Sequence, residues 1–204
     1  MALIPEMNAY AEALGFDHLA PGAVVPGLAW EAGVTGGGNA RWEIRRDESA
    51  PSAPNVLQQS GIGDFPWIVR RGTLIEDGFV EVKFKAMAGK KDQAAGVVWR
   101  WKNGDKYYVA RANALENNVS LYYTENGRRN TLRYVDAPVP ANTWHTLRVE
   151  FSGRRVVVML NGKTYIDLED GHIGGVGRVG MWTKADSVTA FDDFTYGYAK
   201  PVRK

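Results

Sequence analysis

Residues 96–113 read GVVWRWKNGDKYYVARAN, and the chain continues from Asn113 as NALENNVSLY. This stretch holds Arg100, Tyr107, Arg111, Asn113, Asn118 and Tyr122, clustered around candidate β-turns. Arginine and asparagine carry hydrogen-bonding groups in rigid planes, and tyrosine adds a ring and a hydroxyl. Such a set suits a ligand with many hydroxyls and flat apolar faces. Glu116, in NALENN, is the carboxylate nearest to them. It can serve as a general acid or base, or accept ligand hydroxyls; the alternative is a loop surface charge.

These groups work together only if the strands turn them to one side. Asn103-Gly104 suits a two-residue hairpin turn. That register pairs Arg100 with Tyr107, Val98 with Val109 and Gly96 with Arg111, and paired residues share a face. One face then carries Arg100, Tyr107, Arg111 and Asn113, and the other carries Val97, Trp99, Tyr108, Ala110 and Ala112. The second hairpin turns at Asn126-Gly127. It pairs Leu121 with Leu132 and Val119 with Tyr134 toward a core, opposite Asn118, Ser120, Tyr122, Thr131 and Arg133. If the hairpins are neighbours, the polar faces merge into one surface; the alternative is a solvated outer face. A third hairpin at Ser152-Gly153 pairs Leu147 with Val158 and Val149 with Val156. Its outer face sets Glu150 against Arg155, a cross-strand ion pair of small value. Trp182 and Lys184, in GMWTKADS, alternate with Met181 and Thr183 and join the polar face if Met181 is core; otherwise Trp182 covers the sandwich edge.

Other chemistries find little support. Of the three histidines, His145 reads as structural and His18 and His172 fall in loops, with no HxH or HExxH spacing for zinc. No GxxxxGK[ST] phosphate loop and no Gly-x-Ser-x-Gly elbow occurs. Asp192 and Asp193, in TAFDDFTYG, read as a group that locks the sheet. Structural calcium is the alternative, but a hard-cation site needs several oxygen ligands and no others can be named. The expectation is therefore no cofactor and no metal.

The chain has 204 residues, 45% hydrophobic and 24% charged, with net charge +2 and no cysteine. The charge excludes a strongly basic nucleic-acid surface. The missing cysteine excludes disulfides and thiolate chemistry, and no apolar run has transmembrane length. The opening MALIPEMNAYAEALGF lacks the basic and long apolar regions of a secretory leader. The expected compartment is periplasmic or extracellular, with a leader outside this sequence; a cytoplasmic protein is the alternative.

Asn-Gly pairs and regular alternation predict strands at 55–60, 66–72, 78–88, 94–102, 105–113, 117–125, 128–136, 144–152, 154–161, 163–168, 176–183 and 187–197, with another in ARWEIRR. EMNAYAEALG at 6–15 predicts a short helix stopped by Gly15, and the Pro- and Gly-containing 20–40 predicts loop. Many short strands predict an all-β, two-sheet antiparallel sandwich. The domain spans 25–197, after an extension at 1–24 and before a tail at 198–204.

YYVARANALENNVSLYY, WHTLRVEFSGRRVVVMLNGK and GRVGMWTKADSVTAFDDF resemble the concanavalin A-like, laminin-G-like jelly-roll domains of bacteria, above all the 3-keto-disaccharide hydrolases, loosely grouped with family-16 glycoside hydrolases. The resemblance covers about residues 25–197, and its characteristic strand matches Gly96, Arg100, Tyr107 and Tyr108. It implies two curved sheets and a concave face that meets carbohydrate. The family-16 Glu-x-Asp-x-x-Glu triplet is absent, which removes the strand-borne nucleophile and acid of a retaining glycosidase. The expected function is binding of a small or modified saccharide by Arg100, Tyr107, Arg111, Asn113, Asn118, Tyr122, Arg133, Trp182 and Lys184. Cleavage of its glycosidic bond would then fall to Glu116. The alternative is a non-catalytic, lectin-like or laminin-G-like interaction module.

Overall fold

The computed structural model describes residues 10–25, 27 and 29–198. Fifteen strands form two antiparallel sheets, with no helix among the described residues. The first sheet runs β13 (Lys163–Glu169), β12 (Arg155–Leu160), β11 (His145–Ser152), β6 (Gly78–Ala88), β15 (Val188–Tyr198), β4 (Asn55–Gln59) and β3 (Trp42–Arg46). The second runs β10 (Arg128–Asp136), β9 (Asn118–Glu125), β8 (Lys106–Asn113), β7 (Ala94–Asn103), β14 (Arg178–Trp182), β5 (Gly63–Arg70) and β2 (Trp30–Gly38). The chain is a jelly-roll sandwich, and every strand read from the sequence is present within a few residues of its expected bounds.

Two elements differ from expectation. Tyr10–Leu14 is a strand, β1, antiparallel to the Phe194–Tyr198 end of β15. The helix propensity of YAEAL gives way to main-chain bonding on a neighbouring strand. Residues 6–9 of the expected helix lie outside the described residues. Trp30–Gly38, read as loop, is β2 paired with β5. Its glycines hide the strand signal for a packing reason. A Cβ on Gly33 would lie 2.6 Å from Cζ2 of Trp67, so this glycine lets the indole lie across the strand.

The core faces are those the alternation implies. Trp99, Tyr108, Leu121, Val149 and Val156 are buried, and Leu132 packs against the same core. Trp99 stacks on Tyr108 at 5.2 Å and on Phe151 of the facing sheet at 5.9 Å. Burying one such ring is worth about 4 kcal/mol from area alone. The third hairpin turns at Gly153-Arg154, two residues off the expected register: Val149 pairs with Val158 and Leu147 with Leu160. Face parity survives this shift, but the outer ion pairs change. Glu150 meets Arg148, and Arg155 meets Asp167.

The second sheet is rolled toward its outer face. Five inter-strand steps separate β10 from β5, about 24 Å if laid flat at about 4.8 Å per step. Yet the Arg129 guanidinium of β10 lies 4.8 Å from the Phe65 ring of β5. Likewise, the Tyr107 hydroxyl of β8 meets the Thr35 hydroxyl of β2 at 2.8 Å across four steps. Only a concave face permits these contacts. Closure also explains why Val98, Tyr107, Val109 and Trp182, on the side away from the main core, are fully buried.

Candidate functional site: the concave face of the second sheet

Strand β8 puts Tyr107, Val109, Arg111 and Asn113 on the concave face, and β9 puts Asn118, Ser120, Tyr122 and Thr124 beside them in register. Their connecting loop is built from Asn113. Its Oδ1 accepts the amides of Leu115 and Glu116 at 2.9 and 3.3 Å, and its Nδ2 donates to Asp92 at 2.8 Å. This local turn fixes where Glu116 stands.

The Glu116 carboxylate is the hub. It accepts from Arg111 Nη2 at 2.7 Å, Asn118 Nδ2 at 2.9 Å and the Tyr134 hydroxyl at 2.6 Å. Burial opposes its charge, but the bonds from Tyr134, Asn118 and Arg111 overcome this and pull its pKa down to about 2. The same contact pushes the half-exposed Tyr134 hydroxyl up to about 12, through burial and the adjacent carboxylate. Arg111 is buried and also donates to Asn118 Oδ1 at 2.9 Å and Ser120 Oγ at 3.2 Å. Its second anionic neighbour is the buried Asp92, 3.7 Å away, which pairs with Lys184 at 2.6 Å.

Rings make the rest of the surface. Trp182 stacks on Phe65 at 5.7 Å, and Gly96 makes room for its indole, since a Cβ there would meet Trp182 at 3.1 Å. Tyr122 lies under both Arg111 and Arg129, 5.6 and 4.2 Å from its ring centre, and donates to Ser120 at 2.9 Å. Glu116, Tyr134, Lys184, Arg129 and Phe65 keep access to solvent, above a floor of Arg111, Asn118, Tyr122 and Trp182.

Thus Arg111, Asn113, Glu116, Asn118, Tyr122, Trp182 and Lys184 come together as the alternation suggests. Tyr107 shares the face but is fully buried against Thr35. Two residues do not belong. Arg100 sits in a bulge of β7 with φ +46°, and the turn moves to Gly104-Asp105, between the paired Asn103 and Lys106. The bulge reverses its direction. Its guanidinium donates to the carbonyls of Glu76, Ile173 and Gly153 at 2.7–3.3 Å and lies over Phe151. It fastens loops and has no part in the face. Arg133 is displaced by a second bulge, between Thr131 and Arg133 of β10. It pairs with Leu121 and is exposed, while Tyr134, read as core, pairs with Ser120 and enters the site. Arg129 and Phe65 were also missed. The expected register of the second hairpin already gives Arg129 the parity of Thr131; Phe65 has no local signal, because it arrives through the curl.

The remaining candidates have other duties. Asp192 accepts the amides of Ser52 and Asp193, and Asp193 accepts Lys83 Nζ at 2.7 Å and Ser52 Oγ at 2.6 Å. Among the described residues no group of three acidic, histidine or cysteine side chains is gathered to hold a metal. His145 is held between Pro140 O and Asn161, and His172 stacks on Tyr123 beside Asp170.

A family model described as a 3-keto-alpha-glucoside-1,2-lyase-like domain matches residues 28–195. The chain belongs to this family. No curated protein matches it. Among solved structures, this 3-keto-glucoside-lyase-like domain is similar to the carbohydrate-binding module CBM66 from Bacillus subtilis, at 20% identity and TM-score 0.68, covering 83% of this chain and 95% of that one. It is also similar to a prokaryotic beta-1,3-1,4-glucanase (lichenase) derived from a mouse hindgut metagenome, at 14% identity and TM-score 0.61, covering 93% and 99%. A third is the exoplasmic/lumenal domain of VIP36, bound to Ca2+ and Man3GlcNAc, at 14% identity and TM-score 0.59, covering 86% of each chain. At these identities the likeness establishes the jelly-roll fold.

Proposed function

We propose that the concave face binds a saccharide oxidised at C3 and cleaves its glycosidic bond by elimination, with Glu116 as the base. The observation that carries this reading is the partly exposed Glu116 carboxylate, held at the rim by Arg111, Asn118 and Tyr134. A C3 ketone acidifies the hydrogen on C2. Glu116 removes that proton, and the C3 oxygen holds the resulting enolate charge with the Tyr134 hydroxyl as donor. The enolate electron pair then forms the C1–C2 double bond as the C1–O bond breaks. The departing oxygen takes the proton back from Glu116. The products are an enone and an alcohol, and the carboxylate is regenerated.

A carboxylate held near pKa 2 is a weak base. Substrate changes that. A ketone that takes the Tyr134 hydrogen bond removes one stabilising donor from Glu116. The ligand also shields it from water, and both effects raise its proton affinity. Of the rings, Phe65 is partly open to solvent and offers flat apolar surface to the sugar, backed by the buried rings of Tyr122 and Trp182. The second reading, a non-catalytic saccharide binder, draws on the same low pKa of the free carboxylate.

The test is alcohol release from a 3-keto-α-glucoside and from its unoxidised parent. Only the ketone should react, and Glu116→Gln should lower the rate about 10²- to 10⁴-fold while binding persists. An inert wild-type protein that still binds the sugar would establish the second reading. A fully active Glu116→Gln variant would remove Glu116 from the chemistry.

A further inference from the structure

The charges on the concave face do not cancel. Arg111 is matched by Glu116 and Asp92, and Lys184 by Asp92. Arg129 has no direct partner: among the described residues it has no hydrogen-bond acceptor and no ion-pair partner, and the carboxylate whose charge reaches it, Asp92, is already paired with Lys184. Three cations therefore stand against two carboxylates. The unmatched guanidinium is not a flexible surface group. It lies against Tyr122 at 4.2 Å, Phe65 at 4.8 Å and Trp182 at 5.9 Å, spanning the rolled sheet from β10 to β5. Burial pulls its proton affinity below that of an ordinary guanidinium. Its Nη1 is enclosed and unpaired, whereas Nε and Nη2, equally without acceptors, stay open to solvent.

Ring contacts offset part of the cost of desolvating a cation, but they satisfy none of its N–H donors. The rings crowd the guanidinium carbon, Nη1 is enclosed, and the planar Nε–Nη2 edge is left without an acceptor. Two parallel N–H groups at fixed spacing match the two oxygens of a carboxylate. We propose that Arg129 is the binding residue for a carboxylate on the substrate, so that the face takes an acidic saccharide containing a uronate unit. The inference rests on the saccharide-binding part of the function proposed above and names its substrate class. Arg129 and Arg111 share the Tyr122 ring, so a uronate held by Arg129 lies beside the Glu116 cluster.

The experiment compares an α-linked glucuronosyl-glucose with neutral glucosyl-glucose and with its 6-sulfated form, by calorimetry at low and high salt. The uronate should bind about ten- to a hundredfold more tightly than the neutral sugar, as expected for a charge-assisted bidentate pair, and the gap should shrink with salt. Arg129→Met keeps an apolar stem on the rings and should abolish the gap, with the loss falling far more on the uronate than on the neutral sugar. Arg129→Lys, which keeps the charge but loses the planar edge, should restore only a small part of it. Equal affinities, binding of neither disaccharide, or an equal loss of both in Arg129→Met would overturn the proposal. A sulfated sugar that binds as well as the uronate would overturn the carboxylate assignment. Alcohol release from a neutral 3-keto-α-glucoside reports on the elimination alone, so failure of that reaction and failure of uronate preference are separate results.

Discussion

At the residue scale, Glu116 is defined by its donors. Its loop position between two polar-faced strands was legible in the sequence, because Asn113, Glu116 and Asn118 stand at short fixed spacing around one turn. Tyr134 was not legible, since a one-residue bulge in β10 inverts the parity of everything beyond Thr131. Replacing Tyr134 by Phe removes one hydrogen bond from the carboxylate, so the Glu116 pKa should rise from about 2 toward its ordinary range; carboxyl carbon chemical shifts followed against pH will show it. The sign for stability follows from the same shift. The folded value is depressed, so the stabilising contribution is complete above the ordinary value near 4.5 and is lost as pH falls toward 2. In Tyr134→Phe this acid-labile contribution should shrink, giving a smaller fall in melting temperature between pH 5 and pH 2.

At the element scale, bulges decide what the hairpins present. Strand positions and core faces could be read from Asn-Gly turns and alternation, and those features are local. A bulge is not local: Arg100 adopts positive φ because its side chain finds three carbonyls outside its own strand pair. Gly177 lets the neighbouring loop approach, since a Cβ there would lie 2.4 Å from Arg100 backbone atoms. Arg100→Ala should therefore destabilise the fold by about 3 kcal/mol, leaving the buried Ile173 carbonyl and the part-buried Glu76 and Gly153 carbonyls without this donor, while saccharide affinity stays unchanged at temperatures where the variant is folded. Arg133→Ala should change stability by less than about 0.5 kcal/mol and leave affinity unaltered, since its side chain is exposed and set apart from the face. Denaturant melts paired with calorimetry test both. An affinity loss in either variant would return these arginines to the site.

At the scale of the whole molecule, the curl of the second sheet turns a row of alternate residues into a lined concavity. The sequence carried the sandwich and most of the floor. It did not carry the contact of β10 with β5, which depends on how far seven strands roll, so Phe65 and the bridging role of Arg129 emerge only in three dimensions. The first sheet is closed by main-chain pairing and by Asp192 and Asp193, whose oxygens are already engaged by Ser52, Lys83 and the Asp193 amide. Calcium at millimolar concentration should therefore leave the melting temperature unchanged; a rise of several degrees, lost in Asp193→Asn, would show that these acids hold a cation. The reaction proposed for the Glu116 cluster on the concave face is elimination on a 3-keto-glycoside. Its most direct measurement is the ultraviolet absorbance of the enone released from a 3-keto-α-glucoside by the wild-type protein and by Glu116→Gln. Steady enone formation by the wild type and a loss of at least about a hundredfold in the variant are expected. Equal rates in the two proteins, or no enone from either, would contradict it.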